Sequence, residues 1–417
     1  MKVLLVTRHF PPGGGGGVQR PLKFATHLPA LGVETHVLAP DLADPARADA
    51  ELELPTQAWI HRVRYVGPRG GRPSEQLVTK QGVARLGTQA ALFGRRLLVP
   101  DENVAWSTLA TPVAIRLVRR EGIDVVLTTS PPPSLHLLGA AVKRTTGAAW
   151  VADLRDPLTS HPHRRGYESQ LARLKEKTAG GVGKLVASQA NAIVAVSDAI
   201  AEEMRALEPK SRVVTIANGC DFDDFAGLEH HSSKRLRITH AGHFHGKRDP
   251  KPFLRALADS GLDDVVARFA GDFRTADREY AASLGLGDRI ELLGDVSRRR
   301  SLELQRDSEA LLLLIPESGG RGRGVLTGKI FEYLAAERPI LAAVPSDGAA
   351  AKLVRDTGAG VVVPSDDVDA LREALLDLHR RWQAGSLDGT PLSDEWRKRL
   401  SRGERVEELA DLLRSLV

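Results

Sequence analysis

The stretch Gly324-Val-Leu-Thr-Gly328-Lys329-Ile330-Phe-Glu332-Tyr-Leu-Ala-Ala-Glu-Arg-Pro339-Ile-Leu341 decides how this chain is read. A glycine turn opens a helix that leads into a short apolar strand, and Glu332 lies about one turn inside that helix. The first amides of a helix lack intrahelical acceptors and stand at the positive end of its dipole. Gly328, Lys329 and Ile330 are therefore expected to hold an anion such as a diphosphate. Glu332, a double acceptor, is expected to grip a ribose diol. A P-loop is excluded twice: Arg323 stands where its first glycine belongs, and Ile330 where its metal-binding hydroxyl belongs.

Working outward, short aliphatic runs alternate with amphipathic helical stretches, the pattern of parallel sheets covered by helices on both faces. The first series predicts strands at 2–7, 34–39, 60–66, 124–128, 149–153 and 192–196, with helices at 18–31 and 134–145. The second predicts strands at 236–241, 266–270, 290–293, 310–315, 340–343 and 360–363. Between them lies the turn-rich segment Ile216-Ala-Asn-Gly-Cys-Asp-Phe-Asp-Asp-Phe225. The expected domains are 1–215 and 216–395, both doubly wound and Rossmann-like, facing a central cleft. Residues 396–417 form an amphipathic helix, with Leu400, Val406, Leu409 and Leu412/Leu413 on one side, that packs back on the first domain.

A length of 417 residues suits two such domains of about 200 residues each. The longest aliphatic run, Leu311–Ile315, is far too short to span a membrane, and the start of the chain lacks the pattern of a signal peptide. Cys220 is the only cysteine, so an internal disulfide is excluded. A cytoplasmic location is expected. The net charge of +5 invites a nucleic-acid reading, but aromatics at 5% do not interleave with the basic runs, so no nucleic acid is expected. The basic region from Arg62 to Arg96 is read first as a solvated helix face. Peripheral contact with anionic lipid at the inner face of the cell membrane is its second reading.

In doubly wound sheets ligands sit beyond the carboxyl ends of strands. After the first strand come Phe10-Pro-Pro and five glycines, Gly13 to Gly17, then Arg20. Those glycines permit close approach of backbone amides, at Gly15, Gly16 and Gly17 above all, but Val18 breaks the dinucleotide fingerprint. In the second half the strand ending at Ala241 runs into Gly242-His243-Phe-His-Gly-Lys247-Arg248, just before a helix expected near Pro250. Lys247 and Arg248 suit a phosphate; a solvated basic pair is the alternative. His240, His243 and His245 point in different directions and lack acidic or thiolate company, as do His161 and His163, so no metal is expected. Asp153, Arg155 and Asp156 read equally as a substrate-orienting group or a structural ion-pair loop. Thr128-Thr-Ser130-Pro-Pro-Pro-Ser134 reads first as a helix cap.

In this order the motifs make the chain resemble the GT-B glycosyltransferases, specifically the retaining family-4 type. The resemblance spans nearly the whole chain. It rests on Phe10-Pro-Pro-Gly-Gly with Arg20, Val196-Ser-Asp-Ala-Ile200, Asn218-Gly219 with Phe225, Gly242 to Arg248, Leu293-Gly-Asp-Val296, and Gly328 to Pro339. It implies a retaining transfer of a sugar from a nucleoside diphosphate sugar, uridine favoured, to an acceptor hydroxyl on a glycan, lipid-linked sugar or small molecule. No cofactor or metal is implied. Lys247 or Arg248 would neutralise the diphosphate, assisted by Gly242, His243 and the amides at Gly328 to Ile330; Val296 would read the base and Glu332 hold the ribose. Gly15 to Gly17 would approach the donor, while Arg20, Ser130, Asp153, Arg155 and Asp156 would orient the acceptor.

Three positions depart from the family pattern. Gly324 stands where a second glutamate belongs, with Glu317 as its candidate replacement; His243 stands for an arginine; Thr128 to Ser130 occupy the place of a histidine. A sugar-nucleotide epimerase of the same architecture, and a nucleotide-sugar-binding protein without turnover, are the competing readings.

Overall fold

The computed structural model describes residues 1–41, 48–49, 51–67, 98–158, 170–244, 248–317, 322–389 and 391–417, excepting the side chains of residues 171 and 172. The chain forms two compact units. Among the described residues, the first holds those from Met1 to Ala217 together with Arg405–Val417, and the second those of Asn218–Glu404.

The first unit contains β1 (Lys2–Thr7), β2 (Glu34–Pro40), β3 (Trp59–Val63), β4 (Val125–Ser130), β5 (Ala149–Leu154), β6 (Ala192–Ala195) and β7 (Arg212–Thr215). They make one sheet in the order β3-β2-β1-β4-β5-β6-β7, every pair parallel. Side chains alternate along each strand. Val3 and Leu5 enter one core with Val18, Leu22 and Phe24 of the helix Gly16–His27 and with Val406, Leu409 and Leu413 near the C-terminus. Leu4 and Val6 enter the opposite core with Trp106, Ala110 and Leu117 of the helix Val104–Glu121. Both faces are thus covered, which is why β1 and β4 are almost continuously buried.

The second unit repeats this winding with β8 (Leu236–Ala241), β9 (Val265–Ala270), β10 (Ile290–Gly294), β11 (Ala310–Leu314), β12 (Ile340–Ala343) and β13 (Gly360–Val363). Their order is β10-β9-β8-β11-β12-β13, again all parallel. In each unit the winding reverses beside the first strand, between β1 and β4 and between β8 and β11. Those are the topological switch points, where such sheets open toward ligands at their carboxyl ends.

The expected fold class of two doubly wound parallel sheets holds, with differences at element ends. The expected helix 18–31 begins at Gly16 and stops at His27, because Pro29 starts a separate turn of 3-10 helix. Strand β7, with its polar Arg212 and Thr215, was not expected from its composition. The expected terminal helix is two helices, Asp394–Leu400 and Arg402–Arg414, parted by Ser401 in an extended conformation. The break follows from pairing: the Cys220 amide donates to the Leu400 carbonyl at 2.9 Å, and the Arg402 amide to the Cys220 carbonyl at 3.0 Å. At Gly219 a Cβ would lie 2.8 Å from the Leu400 carbonyl oxygen, so this approach requires a glycine.

Candidate functional site

At the carboxyl edge of the second sheet, three adjacent strands end in glycines of positive φ: Gly242 (φ 128°), Gly271 (φ 115°) and Gly294 (φ 65°). Their loops hold one another. The Gly242 amide donates to the Ala270 carbonyl at 2.6 Å, and the Gly271 amide to the Gly294 carbonyl at 2.6 Å. His243 Nδ1 accepts from the Asp272 amide at 3.1 Å and lies 3.4 Å from the Asp295 carboxylate. Phe244 anchors the first loop by inserting against Phe269 and Phe273, with ring centroids 5.8 and 5.4 Å away. Val296 follows Gly294 and immediately precedes Ser297, whose hydroxyl caps the helix Arg298–Arg306.

The helix Gly328–Ala335 starts beside these loops. Thr327 occupies its N-cap position without a side-chain cap bond, and its hydroxyl is buried without a partner among the described residues. The Ile330 amide donates to the Thr327 carbonyl at 3.2 Å. This corrects the expectation that three amides stand free: the first turn is tightened and spends that of Ile330, leaving Gly328 and Lys329.

Lys329 contributes its side chain as well. A Cβ added at Gly242 would overlap Lys329 Cε and lie 2.5 Å from Nζ, so the ammonium passes where only a glycine leaves room. It makes no hydrogen bond or ion pair among the described residues. Burial lowers its pKa well below the ordinary lysine value, and the Arg248 charge adds to the effect, with Glu332 acting in the opposite direction. Arg248 is itself buried, donating to the Leu314 carbonyl at 3.0 Å and to the His243 carbonyl at 3.0 Å. These two bonds hold the guanidinium at the switch point between β8 and β11. Lys247, the neighbouring candidate, lies outside the described residues, as do His245, His161 and His163 and the basic stretch from Arg69 to Arg96.

Glu332 is engaged at both oxygens. Oε1 accepts from Arg298 at 2.6 Å and Oε2 from Gln305 Nε2 at 3.3 Å, while Arg298 also donates to Asp224 at 2.8 Å. Burial works against the Arg298 charge, but Glu332 and Asp224 together hold its pKa above the ordinary arginine value. Arg298 and Asp224 were missed in sequence. Arg298 is one of three consecutive arginines, and nothing local distinguishes it from its two exposed neighbours. Glu317 lies 3.8 Å from Arg323, the residue before Gly324, so its carboxylate is directed to that side of the loop.

The first unit uses its candidates differently. Arg20 and Asp153 form a buried pair: Arg20 NH2 donates to Asp153 at 2.8 Å and to the Ile216 carbonyl at 2.9 Å, and NH1 to the Ala217 carbonyl at 3.1 Å. Thr129 donates to the other Asp153 oxygen at 2.6 Å, and Asp153 is fully buried. Arg155 donates to the carbonyls of Ser130 at 2.7 Å and Gly17 at 2.5 Å, fixing the glycine loop against the end of β4. Ser130 is buried, with its hydroxyl 3.4 Å from the Asp153 carbonyl, and Asp156 is engaged. Polar atoms of Arg20, Asp153 and Arg155 thus hold backbone and one another, which is the geometry of the structural ion-pair reading, and Ser130 is buried beside them. Gly15 and Gly16 remain exposed, with nothing within 4 Å of an added Cβ.

Ser134 is capped from outside its helix, the Asp101 carboxylate accepting from its amide at 2.7 Å and its hydroxyl at 2.9 Å. Asn103 Oδ1 accepts from Arg8 Nε at 2.8 Å and the Tyr65 hydroxyl at 3.0 Å. Beside β4, His136 Nδ1 shares a hydrogen bond with the Thr128 hydroxyl at 2.9 Å, and burial lowers its pKa to about 4 against the pull of Asp153. Among the described residues no group of three or more His, Cys, Asp or Glu is arranged for a metal ion, and no helix is long and apolar enough to cross a membrane.

Residues 14–224 match the family model described as Glycosyltransferase Family 4, and residues 235–381 the model described as Glycosyl transferases group 1. No curated protein matches the chain by sequence. Among solved structures, Anabaena HepE in complex with UDP-glucose is similar over 100% of both chains at 15% identity, TM-score 0.65. A glycosyltransferase from Rickettsia africae covers 100% of this chain and 98% of its own at 14% identity, TM-score 0.64. The UDP-GlcNAc 2-epimerase of Methanocaldococcus jannaschii shares the fold at 12% identity over 100% of both chains, TM-score 0.53.

Proposed function

The chain belongs to glycosyltransferase family 4 and is a sugar transferase of GT-B-like fold, and from that membership we propose a retaining transfer from a nucleoside diphosphate sugar to an acceptor hydroxyl. Uridine is the favoured base, a choice motivated by the UDP-glucose held by a protein of the same fold. The observation that carries the reading is the Lys329 Nζ beside Gly242, with no hydrogen-bond partner among the described residues, at the start of a helix whose N-cap side chain makes no cap bond.

On this reading the diphosphate lies across the Gly328 and Lys329 amides, and Lys329 and Arg248 face its charge. Val296 approaches the base and Glu332 accepts from the ribose. In the first unit, the exposed backbone at Gly15 and Gly16 is read as a contact for substrate. The reaction is a front-face substitution: the bond from the anomeric carbon to the β-phosphate oxygen breaks, the acceptor oxygen bonds to the same face, and its proton passes to that phosphate oxygen. Positive groups stabilise the leaving diphosphate most as its charge develops, which lowers the barrier without a protein nucleophile or a metal. Acceptors of envelope polysaccharide, glycolipid or natural-product glycoside type fit this chemistry. Contact with the inner membrane face rests on Arg95 and Arg96, and unchanged liposome sedimentation after both are replaced by Glu would remove it.

Turnover by purified protein tests the assignment. Incubation with a panel of nucleoside diphosphate sugars and hydroxyl acceptors is expected to release the nucleoside diphosphate and yield a glycoside of the donor's anomeric configuration by NMR. Conversion of the donor to an epimer without release would assign the epimerase reaction instead. Tight binding with no turnover for any acceptor would leave a binding protein.

A further inference from the structure

Three elements converge on one guanidinium. Arg298 opens the helix Arg298–Arg306, Asp224 lies in the 3-10 turn Phe222–Phe225, and Glu332 sits in the helix Gly328–Ala335. A cation in the first turn of a helix opposes the helix dipole, so this placement needs a compensating cause. The two carboxylates supply it. Arg298 NH1 donates to Glu332 Oε1 at 2.6 Å and NH2 to Asp224 Oδ2 at 2.8 Å, so a planar fork spans both at once, which a lysine cannot do in the same geometry.

The consequence falls on Glu332. Each carboxylate oxygen accepts about two hydrogen bonds. Arg298 takes one at Oε1, and Gln305, a buried side chain steadied by Ser301 at 3.2 Å, takes one at Oε2. These contacts fix the carboxylate plane. The lone pairs left over are one per oxygen, the arrangement that matches two vicinal hydroxyls.

We propose that Arg298, anchored by Asp224, is a positioning residue that sets the preference of this protein for ribonucleotide over 2′-deoxyribonucleotide donors by orienting Glu332. The inference rests on the reading of Glu332 as the ribose ligand. It assigns a role to two residues that need touch neither the sugar nor the phosphates, and it makes base and phosphate recognition separable from recognition of the diol.

The test is calorimetric binding of uridine, guanosine and adenosine diphosphates, each beside its 2′-deoxy counterpart, to wild type, Glu332→Gln, Arg298→Gln, Arg298→Lys and Asp224→Asn. Removing a hydrogen bond to a charged group costs about 10- to 150-fold in affinity. Wild type is expected to favour the ribonucleotide by about that ratio for the base it binds, and Glu332→Gln to lose most of it. Arg298→Gln is expected to weaken the ribonucleotide more than the deoxynucleotide, which keeps only its 3′-hydroxyl on Glu332, so that the ratio falls. Asp224→Asn, a milder change read in protein whose melting curve is intact, lowers the ratio in the same direction, and Arg298→Lys does not restore it. Equal weakening of both nucleotides by Arg298→Gln would mark a purely structural role and overturn the inference. An unchanged ratio in Arg298→Gln and Asp224→Asn would overturn it while sparing Glu332. An unchanged ratio in Glu332→Gln would remove the ribose reading itself.

Discussion

Replacing Lys329 by Met separates stability from function at the proposed donor site. Methionine keeps a long unbranched chain in the space beside Gly242 while removing the charge. In the free protein the charged form is disfavoured. It lacks an acceptor among the described residues, burial disfavours it, and Arg248 repels it, so its pKa lies well below the unfolded-chain value. Between the folded and unfolded pKa the unfolded chain binds more protons, so stability rises with pH across that window; below it the full penalty applies, about 1.4 kcal/mol per unit of depression. Lys329→Met is therefore expected to melt no lower than wild type at neutral pH and to lack that rise in alkali. Its affinity for a nucleoside diphosphate moves the other way. Loss of a charge-assisted contact is worth about 1.5–3 kcal/mol, or roughly 10- to 150-fold in Kd. A bound diphosphate raises the lysine pKa, so wild-type binding takes up a proton in the same window, measurable by calorimetry in buffers of different ionisation enthalpy. A variant that melts well below wild type while binding the nucleotide equally well would refute the reasoning.

Arg20→Met leaves Asp153 buried without its ion-pair partner, which costs about 3–5 kcal/mol in chemical denaturation, and Arg20→Met/Asp153→Leu is expected to recover part of it. A stable single variant with only a raised acceptor KM would return the pair to the substrate. His136, whose pKa falls to about 4 through burial, resists protonation when folded. Its contribution is full above about pH 6.5 and is lost progressively as the pH falls through 4, reaching about 3 kcal/mol. His136→Gln should flatten the acid limb of the stability curve by that amount, and an unchanged limb would contradict it. Gly242→Ala places a Cβ against Lys329 at a φ of 128° and is expected to lower both melting temperature and nucleotide affinity; a variant indistinguishable from wild type would mean that the Lys329 side chain lies elsewhere.

The architecture was legible because parallel strands buried on both faces read as short aliphatic runs. Lys2–Thr7, Leu236–Ala241, Ile340–Ala343 and Gly360–Val363 stand where their sequences place them. The division of the terminal helix was not legible, since its cause is a backbone ladder to Cys220, which lies 181 residues from Ser401 in sequence. At the site, the glycines and Lys329 were visible as a motif, but Lys329 was noted for its amide and not for its side chain. The pairing of Arg298 with Glu332 and Asp224 crosses 34 and 74 residues and leaves no local pattern. For Arg20, Asp153 and Arg155 the sequence left a site and an ion-pair loop equally open, and only the fold shows which carbonyls and carboxylate they bond.

The central claim is that a nucleoside diphosphate lies on the start of the helix Gly328–Ala335 under the Lys329 ammonium. A crystal structure of the protein with the nucleotide that binds best tests it most directly. The account predicts phosphate oxygens within hydrogen-bond distance of the Gly328 amide and Lys329 Nζ, and ribose hydroxyls on Glu332. A diphosphate bound away from that helix start, with Lys329 still without an anionic partner, would contradict it.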